Sequence, residues 1–359
     1  MDKLEKFAAD IDKNVDYFKK LLGVGESFDI IFREFKIGRR RAATFSINGM
    51  TNDILLTNIY ADIMTYHPEE LNINTLNKVF YHRLAHSQVK VVDNINDTLT
   101  SLLSGELVMF IDEETQAIVI DARSYPNRSP AESTIEKVTR GSHDSFVETI
   151  PFNTTLIRRR LRDPNLRCEI VKVGARSKTD VAVCYIRDIT NPDLVDTVKD
   201  RLNSIEIDGV PMAEKAIEEF IVGGSTWNPL PRVRYTERPD VAVVHLLEGH
   251  VCLVVDTSPN VIILPTTFWH HVQHVEEFRQ NMTAGTFLRL TRLGAILTAL
   301  LLPPVWLSLV LQRHLLPETL AFLGPRDPGI IPLGLQFLLA EFGVEMVRMA
   351  TVHVPSAQS

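Results

Sequence analysis

Two stretches of sequence decide the fold, because one repeats the pattern of the other. Leu102 to Asp121 reads LLSGELVMFIDEETQAIVID, and Leu246 to Pro265 reads LLEGHVCLVVDTSPNVIILP. Both contain Leu-Leu, then a glycine, an aspartate and an isoleucine at matching positions. The pattern predicts a helix end with a glycine cap, a strand, a turn that contains the aspartate, and a second strand. Each stretch is therefore predicted to form a helix followed by a β-hairpin.

The similarity continues upstream at nearly the same offset. From Ser27 the chain reads SFDIIFREFKIGRRRAATFSINGMTND, and from Arg167 it reads RCEIVKVGARSKTDVAVCYIRDITNPD. Each predicts a strand, a basic turn, an apolar strand and a Thr-Asn pair that caps a helix. A repeated unit of this kind predicts an α/β fold with two related subdomains, each a small mixed or mostly antiparallel sheet with packing helices.

Domain boundaries follow from composition. The segment SYPNRSPAEST, which begins at Ser124, concentrates proline, serine and asparagine and indicates a linker. We therefore predict a first α/β subdomain over residues 1–130, a second over 131–275, and a helical membrane-associated region over 276–359.

The third region contains a long apolar run. Leu293 to Leu311 reads LGAILTALLLPPVWLSLVL, about 19 residues without a charge, which is close to the length that crosses a bilayer as a helix. We predict a span over about 288–311, in preference to a buried core helix. A weaker amphipathic helix is predicted over about 330–350, because Glu341, Glu345 and Arg348 interrupt it.

Arginines before the span and the missing secretory signal predict that the subdomains are cytosolic and that the protein is located in a membrane. The formal net charge of −7 argues against nucleic acid as a partner. The sequence shows no catalytic motif, so we predict no enzyme, no catalytic residues and no cofactor. His270, His271 and His274 have metal-compatible spacing, but we favour an interfacial helix and predict no metal.

An arginine-rich helix is predicted to end at Asp163-Pro164. Leu156, Ile157 and Leu161 share one side of it, while four arginines between residues 158 and 162 crowd the rest. Three interpretations stay open: a solvated helix face, a contact to acidic lipid headgroups of the bilayer, or a contact to an acidic partner surface.

The same residues carry a resemblance to a known family. RG…F.ET…NT.LIRRR.RDP.L from Arg140, GARSKTDVAVCYI from Gly174, and TERPD, LLEG and VDTSP within the block from Pro231 resemble the A subunits of GerA-family spore germinant receptors. The opening block from Asn14 is most similar to the stage V sporulation protein AF branch. Relatives continue into further hydrophobic spans, so the resemblance implies a chain truncated at its C-terminus.

This resemblance implies function and partners. Family members lie in the spore inner membrane, form oligomers and act with B and C subunits when nutrients trigger germination. The A subunit is thought to provide a ligand-gated ion pathway, and the TERPD element resembles a subdomain-joining turn. The candidate interaction residues that match family motifs are Arg140, Gly141, Phe146, Glu148, Asn153, Arg158, Arg159, Arg160, Asp163, Pro164, Glu237, Arg238, Pro239, Asp240, Gly249 and Asp256.

Two functions follow as hypotheses. The first is a non-catalytic, homo-oligomeric subunit of a nutrient-germinant receptor and ion-release complex, whose cytosolic subdomains transmit a signal to transmembrane helices. The alternative is a membrane-anchored small-molecule binding module that uses the cleft between the two α/β subdomains.

Overall fold

A computed structural model describes most of the chain, and it divides into two compact units, Met1–His271 and Val272–Ser359. The described residues are 6–65, 75–82, 84, 86–125, 144–223, 232–267, 270, 272, 281–312, 319, 322 and 330–353. The first unit contains both predicted subdomains. The boundaries after residues 130 and 275 stay predictions.

The first subdomain is a five-stranded antiparallel sheet between two layers of helices. Its strands run in the order β1-β2-β4-β5-β3. In chain order the elements are α1 (Ile11–Leu22), β1 (Ile30–Ile37), β2 (Arg40–Ile47), α2 (Asp53–Met64), α3 (Thr75–His82), β3 (Val89–Val92), α4 (Ile95–Leu103), β4 (Leu107–Ile111) and β5 (Ala117–Ile120).

Strand β4 shows why the sheet is buried on both faces. Val108 and Phe110 pack with α1 and α4, while Leu107, Met109 and Ile111 pack with α2 and α3. This division follows from the period of two along a strand, and it explains why β4 reads as a continuous apolar run.

The second subdomain repeats the first element by element. Its strands run in the order β6-β7-β9-β10-β8, which is the strand order of the first subdomain when β1 to β5 are replaced by β6 to β10 in turn. The elements are α5 (Ile150–Arg160), β6 (Leu166–Val173), β7 (Thr179–Ile186), α6 (Pro192–Asn203), α7 (Ala213–Val222), β8 (Arg234–Thr236), α8 (Pro239–Leu247), β9 (Val251–Val255) and β10 (Val261–Leu264). The predicted α/β duplication is confirmed, and the named strands pair antiparallel throughout both sheets in the described part of the chain.

Helices of the second subdomain occupy equivalent layers. Helices α6 and α7 cover one face of the sheet, and α5 and α8 cover the other. The predicted cap and turn glycines also match: Gly105 and Gly249 both have a left-handed φ, of 94° and 87°, directly after α4 and α8. Glycine tolerates this conformation without a Cβ clash, so it ends both helices in the same way.

The second unit contains two long helices, α9 (Met282–Leu311) and α10 (Leu333–His353). Within α9, Thr283–Leu311 has a mean hydropathy of 2.1 and is long enough to cross a membrane; among the described residues it alone meets that criterion. It includes the predicted span and begins earlier, with Pro303 and Pro304 inside the helix. Helix α10 covers the predicted weaker helix, and Glu345 pairs with Arg348 on its surface.

Candidate functional site

The arginine-rich helix α5 lies at the junction of the two subdomains, and Arg158 is its central contact. The Arg158 side chain is 1% exposed and its partner Asp29, just before β1, is 2% exposed. Nε and Nη2 of Arg158 lie 2.9 and 2.8 Å from Asp29 Oδ2. Nη1 and Nη2 also donate to the carbonyl oxygens of Asp163 and Leu166. A buried charge pair is tolerated when its remaining hydrogen-bonding groups are satisfied in this way.

The charge state of this pair follows from its surroundings. Burial, the largest single cause, acts to lower the pKa of the Arg158 guanidinium, but the Asp29 carboxylate together with Cys168 and Cys184 acts in the opposite direction, and the net pKa is raised. Arg158 therefore stays protonated. Asp29 is held in turn by Ser27, whose hydroxyl donates to Asp29 Oδ1 at 2.6 Å and accepts from the Cys168 amide at 2.9 Å.

Backbone contacts join the subdomains beside this pair. The Phe28 amide donates to the Cys168 carbonyl at 3.0 Å. Close approach is also needed at Gly49, where φ is +78° and an added Cβ would lie 2.3 Å from Thr155 Oγ1 of α5. Only glycine lets α5 come this close to the turn after β2.

Arg167 forms a second buried link. Its guanidinium donates to the Leu21 carbonyl in the last turn of α1 at 3.0 Å, to the Pro164 carbonyl at 2.7 Å, and to Glu26 Oε2 at 3.3 Å. A cation at a helix C-terminus satisfies free carbonyls and interacts favourably with the helix dipole. Burial, as the largest cause, lowers the pKa of Arg167.

The interpretation of the arginine cluster as one solvated face is wrong for Arg158. The guanidinium of Arg159 lies over the Tyr125 ring at 4.5 Å, Arg160 pairs with Asp144 at 2.8 Å, and Arg162 donates to Ser104 Oγ at 3.1 Å. Arg159 and Arg162 remain exposed. Arg158 is enclosed, because Asp29 of the other subdomain pairs with its guanidinium.

The TERPD element lies inside the second subdomain, between β8 and α8, so it does not join the subdomains. Arg238 precedes α8 and forms a bidentate ion pair with Asp240, in which Nε and Nη2 donate to Oδ1 and Oδ2 at 3.0 and 2.8 Å. Pro239 occupies the first turn of α8, where its missing N–H costs nothing. The Glu237 carbonyl accepts from the Phe146 amide at 2.7 Å, which fixes the entry segment of this subdomain.

Several other predicted residues maintain the repeat. Buried Asn153 exchanges two hydrogen bonds with the backbone of Val147, and Asn14 does the same with Ala8 in the first subdomain. The Glu148 carbonyl accepts from the Thr257 amide at 2.8 Å, directly after Asp256. Gly249 caps α8, and Asp163 and Pro164 supply carbonyls to the buried arginines. Arg140 and Gly141 lie outside the described residues. A role of these residues in interactions stays a prediction.

A surface cleft of about 690 Å³ opens beside the junction. Residues of both subdomains line it: Lys19, Lys20, Leu21, Gly23, Val24, Glu26, Asn165, Arg167, Arg187 and Asp188. Four of these carry a positive charge and two a negative charge. Sequence reasoning missed Asp29, Arg167 and this lining, because their sequence neighbourhoods carry no pattern beyond an ordinary strand start.

Comparisons with known proteins agree with this architecture. The chain is 45% identical to stage V sporulation protein AF of Bacillus subtilis over 97% of its own length and 70% of that protein. It is 30% identical to spore germination protein B1 of the same organism, over 97% of this chain and 72% of that protein. The N-terminal domain of the A subunit of the Bacillus megaterium spore germinant receptor GerK3 matches with a TM-score of 0.57 and 28% identity, over 74% of this chain and 98% of that domain.

A protein-family model of the Bacillus/Clostridium GerA spore germination proteins matches residues 16–359 of the chain. That match includes the duplicated subdomains and the apolar helix α9. The chain belongs to the GerA family of spore germination proteins.

Proposed function

We propose that the chain is a non-catalytic subunit of a nutrient-germinant receptor and ion-release complex of spores. In this proposal the two subdomains form a cytosolic block that passes a change at partner subunits to transmembrane helices. The relatives are named as sporulation and spore germination proteins, and one is named as the A subunit of a germinant receptor. We expect B-type and C-type subunits and further copies of this chain as partners.

One observation carries the mechanical part of the proposal. Arg158 and Arg167, both buried, bind groups of the first subdomain from positions in the second. A unit joined in this way should move as one body, because separating the subdomains would break the charged contact between Arg158 and Asp29 and the hydrogen bond from Arg167 to the Leu21 carbonyl. A rigid block of this kind suits a subunit that relays a change between protein partners and a membrane helix.

A test uses Bacillus subtilis spores that lack the 45%-identical relative and express this chain instead. Arg158→Met breaks the buried pair, whereas Arg159→Met removes an exposed cation from the same helix and serves as the matched control. We expect nutrient-triggered ion release to be slowed in Arg158→Met spores and unchanged in Arg159→Met spores, at equal protein levels in the membrane fraction. Equal release with both variants, or with the empty strain, would contradict the proposal.

Orientation has its own test. We place the subdomains in the cytosol, because Arg289 and Arg292 lie in the first part of α9 and arginines flank spans on the cytosolic side. Protease added to sealed vesicles of known orientation should digest the subdomains only in inside-out vesicles. Digestion in right-side-out vesicles alone would reverse the assignment.

The cleft supports a second candidate function, which is small-molecule binding between the subdomains. Its volume lies within the usual range of ligand sites, and its excess of positive charge favours a small molecule with a carboxylate or phosphate group. We expect hydrogen exchange of residues 19–26 to slow when such a ligand binds, with Lys20→Glu abolishing the effect and Lys13→Glu, outside the cleft lining, preserving it. A metabolite panel that leaves exchange unchanged would remove this candidate.

A further inference from the structure

Three histidines from separate places in the second subdomain meet at one point. His245 lies in α8, His250 precedes β9, and His270 follows β10. The rings form edge-to-face pairs, with centroid distances of 5.3 Å for His245 and His250, 5.5 Å for His245 and His270, and 4.9 Å for His250 and His270. Ligand-capable atoms of His245, Glu248 and His270 all lie within 4.8 Å of one another. The sequence singled out His270 with His271 and His274; the fold brings His270 to His245, and His271 and His274 lie outside the described residues.

His245 is oriented as a metal ligand would be. Its side chain is buried, and Nδ1 lies 2.8 Å from the Val241 carbonyl oxygen, an acceptor that requires the proton on Nδ1. The lone pair then lies on Nε2, and this buried atom has no hydrogen-bond partner among the described residues. Histidines that bind metals usually donate their other nitrogen to a carbonyl in this manner.

The surroundings of His245 disfavour its charged form. Burial, the largest cause, lowers the pKa of its imidazole, and Arg234 and His250 lower it further, while the Val241 carbonyl and Glu248 act in the opposite direction.

Glu248 and His270 complete the ligand set. Glu248 is exposed and can turn its carboxylate toward the ion. Arg234 donates to the His270 carbonyl at 2.8 Å and fixes the backbone of that residue. The Thr267 amide donates to Nδ1 of His270 at 3.2 Å, so binding of the ion through Nε2 requires the ring proton to move to Nδ1, where Thr267 Oγ1 lies 3.3 Å away and can accept it. His250 lies beside this set, with its Nδ1 3.1 Å from the His245 carbonyl oxygen.

We propose that His245, Glu248 and His270, with His250 beside them, form a binding site for a divalent transition metal ion, Zn²⁺ in the first instance. Two imidazole nitrogens and one carboxylate oxygen form a set that Zn²⁺ accepts, whereas Ca²⁺ and Mg²⁺ require mainly oxygen ligands. His270 belongs to the last two residues of the first unit. The ion would therefore hold the segment that leaves β10 against α8 and the start of β9.

The test measures Zn²⁺ binding to the full chain in detergent, purified without a histidine tag and stripped with a chelator. Titration calorimetry should give one saturable site, and Co²⁺ at the same site should show visible absorption of a low-coordinate complex. His270→Ala and Glu248→Gln should weaken binding at least about tenfold, while His82→Gln, an exposed histidine at the end of α3, should leave it unchanged.

A second readout separates metal binding from a folding defect. Zn²⁺ in excess should raise the unfolding midpoint of the wild-type chain, because a ligand that binds only the folded state stabilises it. Glu248→Gln should fold with the wild-type midpoint in the absence of metal and lose most of the Zn²⁺-dependent rise. Absence of a saturable site in the wild type, or equal affinity in wild type and His270→Ala, would overturn the proposal.

Discussion

The two subdomains share one order of elements, yet one helix position is used in opposite ways. Asn14 of α1 and Asn153 of α5 make the same pair of backbone hydrogen bonds and so fix the alignment of the two helices. In that alignment Lys19 is the counterpart of Arg158. Lys19 is half-buried at the cleft, with Nζ 3.9 Å from the Phe32 ring centroid, whereas Arg158 is enclosed and pairs with Asp29.

This difference shows how a duplicated fold acquires a junction. A lysine ammonium is strongly hydrated and keeps its charge in water, while the planar guanidinium of arginine can satisfy several acceptors at once inside a protein. The arginine lets α5 bind a buried carboxylate of the other subdomain, whereas the lysine of α1 stays at the edge of the cleft. The predictions below test whether the two copies differ at this position and agree elsewhere.

The largest expected effect is that of Arg158→Ala. Loss of the guanidinium leaves Asp29 buried and unpaired, so we expect the free energy of unfolding to fall by about 3–5 kcal/mol. Lys19→Ala removes a partly exposed cation from the equivalent position and should cost less than about 1 kcal/mol. Denaturant unfolding of the full chain in detergent, followed by circular dichroism, measures both. Equal losses would mean that the two positions are energetically alike.

The asparagine pair should behave alike in both copies. Asn14→Ala and Asn153→Ala each remove two hydrogen bonds from a buried asparagine to a half-buried backbone segment, so each should cost about 2 kcal/mol in the same unfolding experiment. Asn96→Ala, at an exposed position of α4, should change stability by less than about 0.5 kcal/mol. A large loss of stability from one of the two asparagine substitutions, with little loss from the other, would show that α1 and α5 are not equivalent.

Substitutions at two glycines distinguish the cost of backbone strain from the cost of steric crowding at the junction. Gly25 and Gly49 both have positive φ, but an added Cβ at Gly25 meets nothing within 4 Å, whereas at Gly49 it meets Thr155 Oγ1 at 2.3 Å. We expect Gly49→Ala to cost about 1 kcal/mol more than Gly25→Ala, because only the former also crowds α5. Adding Thr155→Ala to Gly49→Ala should reduce this difference in stability cost. An unchanged difference would mean that crowding of α5 is not its cause.

The smallest effect concerns three thiols that only the second copy carries. Cys168, Cys184 and Cys252 are free and buried, and burial raises the pKa of Cys252 well above its ordinary value. The unfolded chain loses the thiol protons of Cys168 and Cys252 near pH 8.5 while the folded chain keeps them, so stability is full below that pH and falls as pH rises above it. Replacing Cys168 and Cys252 by alanine should remove this alkaline slope, which amounts to about 0.8 kcal/mol between about pH 7 and 8.5, as measured by unfolding at those two pH values. An unchanged slope would assign it to other groups.

Local pattern explains which features could be predicted. The glycine caps at Gly105 and Gly249, the hairpins after them and the apolar helix α9 follow from residues close together in sequence, where turn chemistry and periodicity act directly. The repeat itself was visible because equivalent residues recur at a near-constant offset. The full symmetry, with α1 matching α5, was hidden because the two helices share few identical residues, Ile11 with Ile150 and Asn14 with Asn153.

The contacts of the candidate site could not be predicted for a different reason. Arg158 and Asp29 are 129 positions apart, and nothing near either residue indicates which carboxylate meets which arginine. The same limit applies to His245 and His270, which α8 and the end of β10 bring together. Partner choice at such distances is decided by the packing of whole elements, and a single sequence carries that information only indirectly.

The most direct test of the junction is a double-mutant cycle at Arg158 and Asp29 in the full chain. Arg158→Met and Asp29→Leu each leave the other charge buried and unpaired, so each alone should be strongly destabilising. The double variant should recover much of that loss, which gives a coupling energy of about 2–3 kcal/mol between the two side chains. A coupling energy near zero, with the two losses simply adding, would contradict the account that this buried pair joins the subdomains.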